Sequence, residues 1–178
     1  MKILVFSDSH SMTMRMIECV EEEQPDMLFH LGDMVDDVTD LRSVFPDIPL
    51  VQVRGNNDWN SAVPDDERVE LMGIRFFLTH GHRYSVRSTT DRLAKVARLQ
   101  NCQIALYGHT HESLLEQNEG VLVGNPGSIS MPYGELPSYM RITLTAGQTP
   151  KLEIIHVERG ERTSVRDWYR NRFKKYKK

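Results

Sequence analysis

Five short apolar runs in this chain each stop in a polar knot of Asp, Asn or His. "KILVF" (2–6) runs into "SDSH", "MLFHL" (27–31) into "GDMVDD", "PLVQV" (49–53) into "RGNND", "IRFFL" (74–78) into "THGH" and "QIALY" (103–107) into "GHTH". Short, mostly apolar runs of this kind are what strands covered on both faces look like. Helical patterns separate the first three. Residues 11–23 place Met16, Ile17 and Val20 on one face, with Ser11 or Thr13 as cap, and residues 38–45 end before Pro46. This β-α-β-α-β rhythm predicts an α/β fold whose first sheet is parallel. In open α/β sheets, sites form just outside the carboxyl ends of the strands. Knots spread over about a hundred residues are therefore expected to meet in space.

The rhythm then changes. Residues 68–81 read as a hairpin around Met72-Gly73, and 88–101 as a helix with Leu93, Val96, Ala97 and Gln100 at helical spacing. Residues 113–128 read as a hairpin around Asn118-Glu119-Gly120, and 139–145 pairs with 151–157 across Ala146–Pro150. Two packed sheets with helices outside accommodate this order. A chain of 178 residues with 39% apolar and 26% charged side chains suits one such domain. No apolar stretch approaches the ~20 residues that span a bilayer, so no membrane contact is expected. The N-terminus reads as a buried strand rather than a signal peptide. Cys19 and Cys102 lie far apart and read as reduced, buried thiols of a cytoplasmic protein.

Charge is unevenly placed. Residues 158–178 carry nine Lys/Arg and three Asp/Glu, so a whole-chain charge of −3 leaves −9 on residues 1–157. An acidic body argues against a nucleic-acid-binding module. In the tail, Val165, Trp168, Tyr169, Phe173 and Tyr176 fall on one face of a basic helix over 163–176. That face reads as packing on the acidic body, with an oligomer or anionic-surface contact as the sharper alternative.

The knots hold Asp8, His10, Asp33, Asn56, His80, His109 and His111. In extended backbone, i and i+2 point the same way, so Asp8/His10 and His109/His111 each face one site. Gly32, Gly55, Gly81 and Gly108 permit the sharp turns such loops need. Seven N/O donors without a thiolate are too many for one tetrahedral zinc. They suit two ions of the Mn, Fe or Zn kind. A carboxylate must bridge two such ions, ~3.5–4 Å apart, and Asp33 is central in the order. Each motif alone is weak; the ordered set is the signal.

D-x-H, G-D, G-N-x-D, H-G-H and G-H-T-H in this order resemble the calcineurin-like metallophosphoesterases. "VRGNND", "LTHGH", "LYGHTH" and "GNPGS" resemble the small YfcE-type phosphodiesterases, over about residues 1–157. The resemblance implies a two-sheet αββα sandwich in residues 1–157, followed by the basic aromatic segment 158–178. It implies a binuclear centre with Asp8, His10, Asp33 and His111 on one ion, and Asp33, Asn56, His80 and His109 on the other. Mn is the expected metal, with Fe, Zn and Ni also used in the family, and many small members form homodimers. It further implies in-line attack on phosphorus by a metal-bridging hydroxide, with a small phosphodiester as substrate. A phosphomonoesterase or nucleotidase keeps this chemistry. The retromer scaffold subunit shares the fold, so a non-catalytic scaffold is the alternative of a different class.

One position departs from the pattern. The residue after the Gly-Asn pair is often His in the larger family, a presumed acid, and often Cys in the YfcE-type group; here it is Asn57. A neutral amide is not a useful proton donor near pH 7. Leaving groups must then be intrinsically good, or His82 or a metal-bound water supplies the proton. Asp58 reads either as a residue that orients a His ligand or as a loop cap. Arg54 reads as a phosphate contact or a structural salt bridge. His30 reads as a core histidine, His156 as a strand residue, Asp36 and Asp37 as a loop or helix cap, and 125–128 as a turn buttressing the site.

Overall fold

Alternation along each apolar run sends successive side chains to opposite faces, and here both faces are covered. A computed structural model describes residues 1–158 apart from Asn60, Gly134 and Glu135. In β1 (Lys2–Phe6), Ile3 and Val5 enter one apolar cluster and Leu4 and Phe6 another. The first cluster fills the space between two five-stranded sheets. It joins Ile3, Val5, Phe29, Met140 and Ile142 to Phe76, Leu78, Ile104 and Leu106. Phe29 and Phe76 meet there edge to face, with ring centroids 5.8 Å apart.

One sheet runs in the order β10 (Lys151–His156), β9 (Ser138–Thr143), β1, β2 (Met27–His30), β3 (Leu50–Gln52). The other runs β4 (Asp66–Leu71), β5 (Ile74–Thr79), β6 (Ile104–Leu106), β8 (Val121–Pro126), β7 (Ser113–Asn118). Outside the first sheet, α1 (Thr13–Glu23) and α2 (Asp37–Val44) cover Leu4, Phe6 and Leu28. Outside the second, α3 (Asp91–Leu99) covers Phe77, Ala105 and Tyr107. The result is the αββα sandwich.

Two expectations change. The first sheet is mixed: β1, β2 and β3 are parallel, but β9 pairs antiparallel with β1, Ile3 opposite Ile142, and brings β10 with it. The second sheet has a parallel centre, β5-β6-β8, flanked by the two hairpins. Neither Ser11 nor Thr13 caps α1; the N-cap position is Met12, without a side-chain hydrogen bond. Asp37 takes over that loop, its Oδ2 accepting from Ser9 Oγ and Ser11 N–H, each at 2.7 Å. Cys19 and Cys102 are free and buried, as expected. Among the described residues no helix is long and apolar enough to cross a membrane. The helical face expected over 163–176 lies outside the described residues.

The end of α1 is tied to both neighbouring strands by one carboxylate. Glu23 accepts from Lys2 Nζ at 3.0 Å, Tyr139 Oη at 3.0 Å and Arg141 Nη1 at 2.8 Å. Burial pushes its pKa up, but Lys2, Tyr139 and Arg141 outweigh it, and the net shift is downward. A carboxyl with a folded pKa below its unfolded value of ~4.3 adds stability above that value. The contribution is lost as pH falls through the folded pKa. Glu23→Gln is therefore expected to lower the unfolding free energy by about 1 kcal/mol at pH 7, allowing for screening. Urea denaturation should show the two proteins converging as the pH is brought into the acid range.

Candidate metal centre

A buried carboxylate must be hydrogen-bonded or paired. Asp8, fully buried at the end of β1, is held by four segments. Its N–H donates to Gly32 O at 3.0 Å. Its carbonyl accepts from Ser128 Oγ at 2.8 Å and Ser130 Oγ at 2.9 Å. Its Oδ2 accepts from Ser7 Oγ at 2.6 Å and from His109 N–H at 3.1 Å. The other oxygen, Oδ1, makes no hydrogen bond although it is buried.

Two histidines are aimed by main-chain carbonyls. His80 Nδ1 lies 2.8 Å from Leu31 O, and His111 Nδ1 lies 2.7 Å from Met131 O. A carbonyl only accepts, so each Nδ1 carries the proton and each Nε2 keeps a lone pair. His111 Nε2 stands 3.1 Å from Asp8 Oδ1, and His80 Nε2 stands 3.4 Å from Asp33 Oδ1. His80 Nε2 and His10 Nε2 are buried without a hydrogen-bond partner. Lone pairs facing carboxylates across such gaps are an arrangement that a cation completes.

Two groups of side chains offer donor atoms within 4.8 Å of one another: Asp8, His10 and His111, and Asp8, Asp33 and His80. The carboxylate common to both is Asp8. Their imidazole and carboxylate donors, with no thiolate, suit borderline and hard divalent ions. The His109 ring packs 5.1 Å from that of His80, and His10 lies 5.2 Å from His111. The residues present therefore fit divalent metal ions.

Charge follows from this crowding. Burial raises the pKa of Asp8, but His111 and His80 outweigh it, and the carboxyl sits below its usual range. Burial likewise raises that of Asp33, while His80 and the Asn57 donors hold it well below the usual range. Burial lowers that of His80; Asp33 and Asp8 outweigh it and the net shift is upward. Contact with Asp8 raises that of His111. His109 is pushed down to about 4 by burial, His80 and Arg87. The carboxylates thus favour added positive charge beside the rings of His80 and His111.

The Asp33 loop is clamped from the β3–β4 loop. Asp58 accepts from the N–H groups of Asp33, Met34, Val35 and Gly55 at 2.7–2.9 Å. Of its two expected roles this is the loop cap: its carboxylate is committed to main chain rather than to a histidine. Asn57 donates to Asp33 through N–H at 3.0 Å and Nδ2 at 2.6 Å. Asn56 is exposed on the same turn, and among the described residues it makes no hydrogen bond. At Gly55 a Cβ would lie 2.0 Å from Asp33 Oδ1. That glycine is required by close approach, not by its φ.

The expected pairing of i and i+2 has a different cause. Asp8, His10, Asp33, His109 and His111 all have positive φ, between 38° and 69°. These segments are left-handed turns, not strand extensions. Asp and His enter that region more readily than most residues.

His82 is half-buried, with its ring 5.5 Å from His80 and 6.2 Å from His109, and Nδ1 unpartnered. Burial and the neighbouring His80 lower its pKa. His30 is a core residue beside Ser9 Oγ, Arg54 is ion-paired to Asp65 at 2.8 Å, and His156 is an exposed strand residue. Asn125 Nδ2 donates to Gly108 O and Thr110 Oγ1, both at 2.9 Å, so the 125–128 turn does buttress the GHTH loop. Sequence reasoning missed Ser7, Ser130 and Arg87, and the carbonyls of Leu31 and Met131. Ser7 had a signal, its place beside Asp8; the carbonyls have none.

A model of the calcineurin-like phosphoesterase superfamily domain matches residues 1–147. A probable metallophosphoesterase of Mycoplasma pneumoniae is 31% identical over 157 residues, covering 85% of this chain and 94% of its own. The phosphodiesterase YfcE of Escherichia coli is 27% identical over 164 residues, covering 78% and 84%. Its solved structure, described as that of a phosphoesterase, superimposes with a TM-score of 0.63, covering 80% of this chain and 88% of its own. Vacuolar protein sorting 29 of Cryptosporidium parvum, at 20% identity, superimposes with a TM-score of 0.74 over 90% of this chain and 93% of its own, a likeness of fold.

The Asp58 clamp generates a test. Asp58→Asn turns one oxygen into a donor that faces backbone N–H groups. Residues that orient ligands typically contribute 10–100-fold to metal affinity. Isothermal titration of metal-stripped Asp58→Asn with Mn²⁺ is expected to show a loss of about that size, with an unchanged far-UV spectrum.

Proposed function

The chain belongs to the calcineurin-like phosphoesterase superfamily, and we propose that it is a phosphodiesterase that works with two divalent metal ions. The observation that carries this is the pair of donor groups at the strand ends, with the Nε2 atoms of His80 and His111 aimed at Asp33 and Asp8. Following the family's pattern, Asp8, His10, Asp33 and His111 would hold one ion and Asp33, Asn56, His80 and His109 the other, Mn²⁺ being the expected species; this shares Asp33, whereas the two donor groups share Asp8. When bound, such ions make hydroxide available near neutral pH and offset charge developing on the phosphoryl oxygens.

The chain's own residues set the geometry. Asp58 fixes the backbone of Asp33 and Asn57 its carboxylate, and the Ser128 and Ser130 hydroxyls fix the backbone of Asp8. Displacement at phosphorus is in line, and no covalent enzyme intermediate is needed. Asn57 spends its amide on Asp33, so it is not free to reach a leaving group. His82 is the ionisable ring at the site without a ligand role, and its downward-shifted pKa makes it a weak proton reservoir at pH 7. The reading therefore favours substrates with good leaving groups. The scaffold alternative would fit lost ligands, and every expected ligand is present in the sequence.

Metal-stripped protein is expected to hydrolyse bis-p-nitrophenyl phosphate only when Mn²⁺ is added. Asp33→Asn is expected to lower the rate by about a hundredfold or more. p-Nitrophenyl phosphate run beside it separates a diesterase from a monoesterase. No turnover with Mn²⁺, Ni²⁺, Zn²⁺ or Fe²⁺ would favour the scaffold. His82→Ala should slow a poor-leaving-group diester more than the nitrophenyl one; equal rates to wild type on both would remove His82 from proton transfer.

A further inference from the structure

Three arginines lie on the loops that carry site residues, and their partners differ. Arg54 and Arg83 both pair with Asp65, at 2.8 and 2.6 Å. Arg87 pairs with no carboxylate among the described residues. Its Nε–H donates to Nε2 of His109 at 3.1 Å.

That contact fixes a tautomer. If Nε2 accepts, a neutral His109 carries its proton on Nδ1. Ligation through Nδ1 moves the proton to Nε2, which then faces the Arg87 N–H donor to donor. Ligation through Nε2 takes the lone pair that Arg87 uses. Either way, metal binding by His109 breaks the contact. It releases a charged guanidinium beside the centre.

A cleft of about 410 Å³ opens on the same side, lined by Arg87, Ser88, Thr90, Thr110, Glu116 and Asn118 among others. Thr110 lies between His109 and His111, so the cleft begins at the GHTH loop. Its far wall is a fixed polar network: Thr90 Oγ1 donates to Glu116 and accepts from Asn118 Nδ2 at 2.7 Å. Small-ligand sites of ~300–1,000 Å³ are usual, and most are more apolar than this one.

We propose that Arg87, freed from His109, binds a non-bridging phosphoryl oxygen, and that the cleft behind it takes one ester substituent of hydroxylated character, such as a glycerol or a ribose. The substrate assignment rests on the phosphodiesterase reading; the anion site rests only on the part of it that makes His109 a metal ligand. A guanidinium offers phosphate paired donors that a lysine ammonium only partly replaces.

The test is calorimetric titration of Mn²⁺-loaded wild type, Arg87→Ala and Arg87→Lys with inorganic phosphate and with glycerol 3-phosphate, with Mn²⁺ affinity measured separately on metal-stripped protein. Arg87→Ala is expected to weaken phosphate binding by about 10- to 100-fold, with Lys partly restoring it. Its Mn²⁺ affinity is expected to be equal or higher, because a competing cation is gone. Wild type should bind glycerol 3-phosphate several-fold more tightly than phosphate. Unchanged phosphate affinity in Arg87→Ala overturns the anion site, and a parallel loss of Mn²⁺ affinity makes Arg87 a prop for His109, which also overturns it. Equal affinity for the two anions overturns the cleft. Diester turnover assayed alongside separates the two readings. Arg87-dependent phosphate binding without turnover sinks the diesterase and keeps the site; turnover untouched by Arg87→Ala sinks the site alone.

Discussion

The molecule is organised around one carboxylate that cannot reach water. Asp8 is fully buried, and a buried carboxylate left uncompensated costs several kcal/mol, so its partners must be brought to it. The carboxylate itself is met by Ser7 Oγ and by the His109 N–H of the GHTH loop, while the backbone of Asp8 is held by Gly32 of the β2 loop and by two serines of the 128–130 segment. Each carries another group of the site in place. At Gly108 a Cβ would fall 1.9 Å from Ser7 Oγ, so that loop comes in as close as main chain allows.

Such a site works against stability. Five of the expected ligands sit at positive φ, where a non-glycine residue costs of order 1 kcal/mol or more. Those residues also crowd three histidine rings, with His80 as a fourth, against buried acids. The core between the sheets supplies the opposing term, with thirteen buried residues and strands covered on both faces. The rigid element carries the cost of the strained one, which is why the ligands follow strands rather than sit within long loops.

Much of this was legible because apolar runs and strand-end donors are local features of sequence. The runs 2–6, 27–31, 74–78 and 103–107 became strands within one residue of their expected ends. Asp8, His10, Asp33, His80, His109 and His111 came together beyond the strand ends, while Asn56 stands exposed on the neighbouring turn. The i, i+2 argument reached the right residues through the wrong backbone, because Asp8, His10, His109 and His111 are turned left-handed. What was not legible depends on distant partners. A β9-β10 hairpin looks the same in sequence whichever sheet edge it joins, so its place beside β1 was missed. Carbonyls carry no sequence signature, so the acceptors that aim His80 and His111 could not be seen. Arg87 was hidden for the converse reason: a surface arginine is common, and only the ring it touches sets it apart.

The place of β9 beside β1 has a consequence for synthesis. The first strand made pairs on one side with the ninth, Ile3 opposite Ile142, and Asp8 waits for hydroxyls some 120 residues downstream. Contacts of such separation form late and slowly. A nascent chain stopped after β6 has Asp8, His10, Asp33 and His80 but lacks His109, His111, Ser128 and the strand that closes the sheet. Assembly of the centre is therefore a terminal event in the life of the nascent chain. Until then, its acids and imidazoles hang from an open sheet edge.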